Sequence, residues 1–142
     1  MVTAHSIADF LSSTFNPALG LLILEEPLRD QRSASEPWPL FWLRSAMAVG
    51  IAVALAETGK HYEVWSGHPL FPSGHATLAT AAATCLVLHR GPRWLWVSAP
   101  CVLLMGCSLI YGRWHSPDEV LGGCALAVLI TLAIFRGARS AR

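Results

Sequence analysis

Four apolar runs, Leu40–Leu55, His75–Leu88, Trp94–Tyr111 and Val120–Phe135, restrict what this chain can fold into. Short stretches rich in Pro, Gly, His and Arg separate them. At a rise of about 1.5 Å per residue, each run covers most or all of a hydrocarbon core about 30 Å thick. The second holds 14 residues and covers only about 21 Å, so its His75 end is expected in a protein-lined recess below the membrane surface. Composition agrees: 13% of the 142 residues are charged and 54% are hydrophobic, whereas a soluble domain has about a quarter charged. The expected fold class is all-α, an integral membrane helical bundle of four transmembrane helices. Ile7–Leu24 adds an interfacial helix or a short fifth span, with Asp9, Asn16 and Pro17 favouring the interface.

Two parts follow: residues 1–36 as an N-terminal helix and polar connector, and residues 37–142 as the membrane-embedded core. Basic residues orient that core. With the His75 end outside, Arg29, Arg32, Arg44, Arg90, Arg93, Arg136, Arg139 and Arg142 fall on the cytoplasmic side, against Lys60 and Arg113 on the other. That asymmetry predicts a multi-pass protein of the inner (cytoplasmic) membrane whose His75 face looks to the periplasm or exterior. No basic n-region or small-residue cleavage site stands at the N-terminus, so the hydrophobic helices are expected to direct insertion. Phe41 and Trp42 read as an aromatic anchor, Gly59 as a helix stop, and Pro100 as a kink. Cys85, Cys101, Cys107 and Cys124 lie in apolar runs without CxxC spacing and read as small packing residues.

The chemistry concentrates at two places. Phe71-Pro72-Ser73-Gly74-His75 opens an alanine-rich run and prepares a helix N-terminus for an anion: unpaired N–H groups, the positive dipole end and a glycine that admits close approach. The preceding loop adds Lys60, His61, Glu63 and His68. For Lys60 alone the plain reading is an interfacial lysine that snorkels. Further on, Ser116-Pro117-Asp118-Glu119 has the N-cap, N1 proline and N3 glutamate of a helix start, with His115 just before it. Two crossings separate His75 from His115, so both face one side.

Phosphoryl transfer needs cationic and N–H donors around the equatorial oxygens, a nucleophile in line, and an acid for the leaving oxygen. One imidazole can attack and the other can donate the proton. Glu119, four residues after His115, can hold the nucleophile's second ring nitrogen, or act only as a capping-box partner of Ser116. Either histidine alone could be interfacial and bonded to a carbonyl, and Ser73 could be a plain N-cap. His61, His68, His75 and His115 lack zinc-ligand spacing, and Ser73 lacks a nucleophile elbow, so no metal and no other cofactor is expected.

These residues resemble the type 2 phosphatidic acid phosphatase superfamily of integral-membrane lipid phosphate phosphatases. Phe71–His75 is similar to its central motif. Lys60 resembles the lysine that opens its first motif, and His115 with Glu119 resembles its third, over about Leu40–Phe135. The resemblance implies His115 as nucleophile, His75 as general acid and Glu119 as the group orienting His115. It assigns Lys60, Ser73, Gly74 and an arginine to phosphate. His68-Pro69 stands near the first motif's Arg-Pro, one residue late, and Ser108-Leu109 replaces the third motif's Ser-Arg. Arg113 is similar to the arginine position of a divergent branch, so His68 and Arg113 join the expected phosphate-binding set. The family usually has six spans and needs no metal.

The implied activity is hydrolysis of a lipid phosphomonoester or an isoprenyl pyrophosphate, such as undecaprenyl pyrophosphate, through a phosphohistidine. The alternatives are a catalytically weak or inactive lipid-phosphate-binding protein and a lipid phosphotransferase. Expected partners are the lipid phosphate and membrane lipids, with no nucleic acid.

Overall fold

The computed structural model describes residues 14, 16–18, 20–23, 25, 37–65 and 68–137. It is all-α. The described residues between 14 and 25 are helical and form α1. They are followed by α2 (Trp38–His61), α3 (Gly74–Arg90), a 3₁₀ turn at Pro92–Trp94, α4 (Leu95–Tyr111) and α5 (Pro117–Gly137). The rest of the expected interfacial helix and the polar connector, with Arg29, Arg32, Arg139 and Arg142, lie outside the described residues.

Among the described residues, three stretches are long and apolar enough to cross a membrane: Trp38–His61, Pro92–Tyr111 and Pro117–Arg136. The fourth expected span is the difference. α3 has 17 residues, about 25 Å of helix, and its sides are taken by protein. Ala76, Ala79, Ala81, Ala82, Cys85 and Leu86 are buried among α2, α4 and α5. Lipid-facing side chains therefore belong to the outer helices, as Trp96 at 85% exposure, Leu103, Leu104, Leu121 and Leu129 illustrate.

Small residues at four-residue spacing bring the helices together. Ala48, Ala52 and Ala56 on α2 are fully buried, as are Ala127 and Thr131 on α5. Gly123, one turn before Ala127, meets α3 so closely that a Cβ there would stand 2.6 Å from the Ser73 carbonyl oxygen and 3.0 Å from Thr77 Oγ1. In lipid, where apolar side chains gain nothing by leaving hydrocarbon, such close backbone approach supplies the packing energy. Hydroxyls in these helices turn back on the backbone: Thr77 Oγ1 donates to Ser73 O at 2.8 Å, Thr84 Oγ1 to Thr80 O at 2.7 Å and Ser108 Oγ to Met105 O at 2.7 Å.

Several local expectations change. Gly59 does not stop α2, which runs on to His61. Its missing side chain makes room for the Trp65 ring. Phe41 is fully buried and stacks on His89 at 4.0 Å, and Trp38, which is exposed and packs edge-on against Trp42, stands at that end of α2 instead. Trp42 instead donates to the Ile23 carbonyl at 3.2 Å and ties α1 to α2. Pro100 lies inside α4, at its sixth residue. Of the cysteines, Cys85 is buried and Cys107 is exposed; all four are free thiols.

Candidate active site

α2 delivers Lys60 in its last turn and α3 delivers His75 in its first. The α4–α5 connection delivers His115 to the same end of the bundle. The two imidazoles stand with ring centroids 6.5 Å apart and planes inclined at 55°. Both line a cavity of about 490 Å³, together with Lys60, Gly74, Glu57, Leu70, Val53, Leu78 and Asn16.

The His115 side of the cavity is built on Glu119. Its Oε2 lies 2.9 Å from His115 Nδ1, with each side chain only 10% exposed, and the same oxygen accepts from the Ser116 N–H at 3.0 Å. The two sequence readings of Glu119 therefore coexist: it closes the start of α5 as a capping box does and holds the imidazole. With Nδ1–H donated to the carboxylate, Nε2 keeps its lone pair. Glu119 also links the halves of the site, since its backbone carbonyl accepts from the Ser73 N–H at 2.9 Å.

On the α3 side, Ser73 is the N-cap. Its hydroxyl accepts from Ala76 N–H at 3.4 Å and its carbonyl from Thr77 N–H at 2.9 Å. The N–H groups that the helix start leaves for a ligand are those of Gly74 and His75. Ser73 is fully buried and acts through this cap. A Cβ at Gly74 would collide with Glu57 Oε1 and only touch Lys60 Nζ, at 3.5 Å, so the glycine makes room for the Glu57 carboxylate that holds the lysine there.

Lys60 pairs with Glu57 at 2.8 Å, the lysine 19% and the glutamate 56% exposed. Glu57 is not among the site residues expected from the sequence. The signal was the Glu57–Lys60 spacing of three, which puts acid and base on one helix face.

Two expected phosphate ligands are placed elsewhere. His68 faces Asp118 at 3.5 Å in an exposed pair and is not among the residues lining the cavity. Arg113 is exposed, outside that lining, in a left-handed conformation with φ 59°. Lys60 is therefore the one Lys or Arg among the described residues that line the cavity. Among the described residues no three His, Cys, Asp or Glu side chains are grouped as metal ligands.

A membrane-type helical bundle with two imidazoles, an ammonium group and a helix N-terminus around one recess has the parts of an integral-membrane phosphohydrolase. The sequence profile of the PAP2 superfamily matches residues 45–141, and the chain belongs to that superfamily. Membership implies a phosphatase-type hydrolase of lipid phosphates. No curated protein and no solved structure matches the chain.

Proposed function

We infer that this protein hydrolyses a lipid phosphomonoester or isoprenyl pyrophosphate through a phosphohistidine on His115, without a metal. The observation that carries the reading is the pair of imidazoles at 6.5 Å on one cavity, one of them held by a buried carboxylate at 2.9 Å. In the proposed reaction, His115 Nε2 attacks phosphorus while Glu119 keeps the Nδ1 proton and stabilises the imidazolium. His75 gives its proton to the departing lipid oxygen. Lys60 and the Gly74 and His75 N–H groups take the charge on the equatorial oxygens. Water then attacks the phosphohistidine with His75, now neutral, as base. Transfer to a second lipid hydroxyl instead of water would make the protein a lipid phosphotransferase.

In this reading α3 completes a fourth crossing. Its short length sets the phosphate below the outer surface of the inner membrane, and the arginine-rich end lies in the cytoplasm.

Purified protein assayed with a panel of lipid phosphates in EDTA tests the proposal. Turnover should persist in EDTA and fall by about a thousandfold or more in His115→Ala. Retention of activity in that variant would sink the mechanism. A second reading has its own support: with Lys60 the lone Lys or Arg among the described residues lining the cavity, and already paired with Glu57, transition-state charge is thinly covered. Binding of lipid phosphate without turnover would establish a weak or inactive lipid-phosphate-binding protein.

A further inference from the structure

The Glu57 carboxylate stands beside the groups that would receive a phosphate. Its Oε1 accepts from Lys60 Nζ at 2.8 Å and lies against Gly74, the first residue of α3, where a Cβ would collide with it. Glu57 also lines the cavity and is 56% exposed. Lys60 is the one Lys or Arg among the described lining residues, so the ammonium charge offered to a ligand is already shared with an acid. Each further negative charge on the ligand then meets a repulsion that no second cation among those residues offsets.

The proposed reaction fixes which part of the ligand comes near Glu57. His115 attacks in line, so the bond that breaks points away from His115 and toward the proton donor, His75. His75 directly follows Gly74, the residue against which Glu57 lies. In a phosphomonoester the group arriving there is the lipid oxygen followed by hydrocarbon. In a diphosphate it is the bridging oxygen followed by the inner phosphate, which leaves with the bonding electron pair and takes the His75 proton. One turn further from the rim the lining is apolar, with Val53 on α2 and Leu78 on α3. Those walls suit hydrocarbon and offer a second phosphate nothing.

Resting on the phosphatase reading, we propose that Glu57 is a specificity-determining residue that biases the site toward lipid phosphomonoesters and against lipid diphosphates. A phosphomonoester carries about −1.5 to −2 charges at pH 7, and the inner phosphate of a diphosphate adds one more ionised oxygen. Repulsion by the carboxylate grows with that charge. Specificity is often built from such an unfavourable contact with the wrong ligand.

The test uses two ligands with one hydrocarbon, farnesyl phosphate and farnesyl diphosphate, in nonionic detergent micelles, with wild type, Glu57→Gln and Glu57→Ala. Glutamine keeps the side-chain length and an oxygen for Lys60 while removing the charge. The ratio of kcat/KM from initial rates, monophosphate over diphosphate, should fall about three- to tenfold in both variants, the effect of one extra charge a few ångströms from a carboxylate in a site open to water. The gap between wild type and Glu57→Gln should narrow as salt is raised, because salt screens the repulsion. A loss of packing at the end of α2 would neither respond to salt nor depend on ligand charge. Glu57→Ala decides the ratio should Glu57→Gln fail to fold. A ratio within twofold of wild type, or a gap that salt leaves unchanged, overturns the proposal and leaves the phosphatase reading standing. If wild type binds but hydrolyses neither lipid, that reading fails, and the same ratio taken from the Kd values decides Glu57 separately; binding of neither overturns both.

Discussion

Arg113 occupies a position that chains usually give to glycine. The Arg113 N–H donates to Ile110 O at 3.0 Å and the Trp114 N–H to Leu109 O at 3.1 Å, the paired bonds of a Schellman ending with Arg113 at C′. A side chain in the left-handed region costs about 1–2 kcal/mol, a cost that use of the Arg113 guanidinium beside His115 would explain. Arg113→Gly and Arg113→Ala separate backbone from charge. The glycine variant should gain about 0.5–1 kcal/mol of stability in detergent melting, the left-handed strain relieved less the extra freedom of the unfolded chain. The alanine variant should gain none. Both should lose kcat/KM alike if the guanidinium reaches the phosphoryl group once substrate is bound; near-wild-type rates in both would remove Arg113 from the mechanism.

The same ending recurs in α2. The Glu63 N–H donates to Lys60 O at 3.1 Å and the Val64 N–H to Gly59 O at 3.0 Å, with Glu63 at φ 49°. Both elements that lead the chain into the site thus close on a charged residue in the left-handed region, and both send the next residues back over the bundle end. Because neither C′ residue is glycine, the usual sequence signal for a helix stop is missing, and Gly59 drew the boundary too early. The α3–α5 contact is the counterpart at the other wall of the site. Gly123→Ala would push a methyl into the Ser73 carbonyl and Thr77, which are backbone and a short side chain with little room to yield. A loss of about 1–3 kcal/mol is expected, with kcat/KM falling as the α3 N-cap shifts. Unchanged melting and activity would show that α5 slides freely against α3.

At the scale of the molecule, α2 and α4 run one way and α3 and α5 the other, so one end gathers Lys60, His75 and His115 while Arg90, Arg93 and Arg136 share the opposite end. Arg44 also belongs to that end but is buried, its guanidinium 5.9 Å from the centroid of the Phe135 ring. A reporter fused after Arg142 is expected to read cytoplasmic. A periplasmic signal would invert the whole arrangement.

Apolar run lengths, the N-cap serine at residue 73 and the proline start at residue 117 were legible without coordinates, because hydropathy and capping are local and each depends on a few neighbouring residues. The spacing of His115 and Glu119 was legible for the same reason, since four residues across a helix start bring two side chains within reach. Proximity between distant segments was not. That α3 is sheathed by its neighbours, that Glu57 engages Lys60 against Gly74, that His68 turns to Asp118 and that Asn16 lines the cavity all depend on how close two backbones come. Interhelical distance in lipid is governed by where small residues such as Gly123 and Ala127 meet across the bundle, and only packing of the folded chain brings those residues face to face.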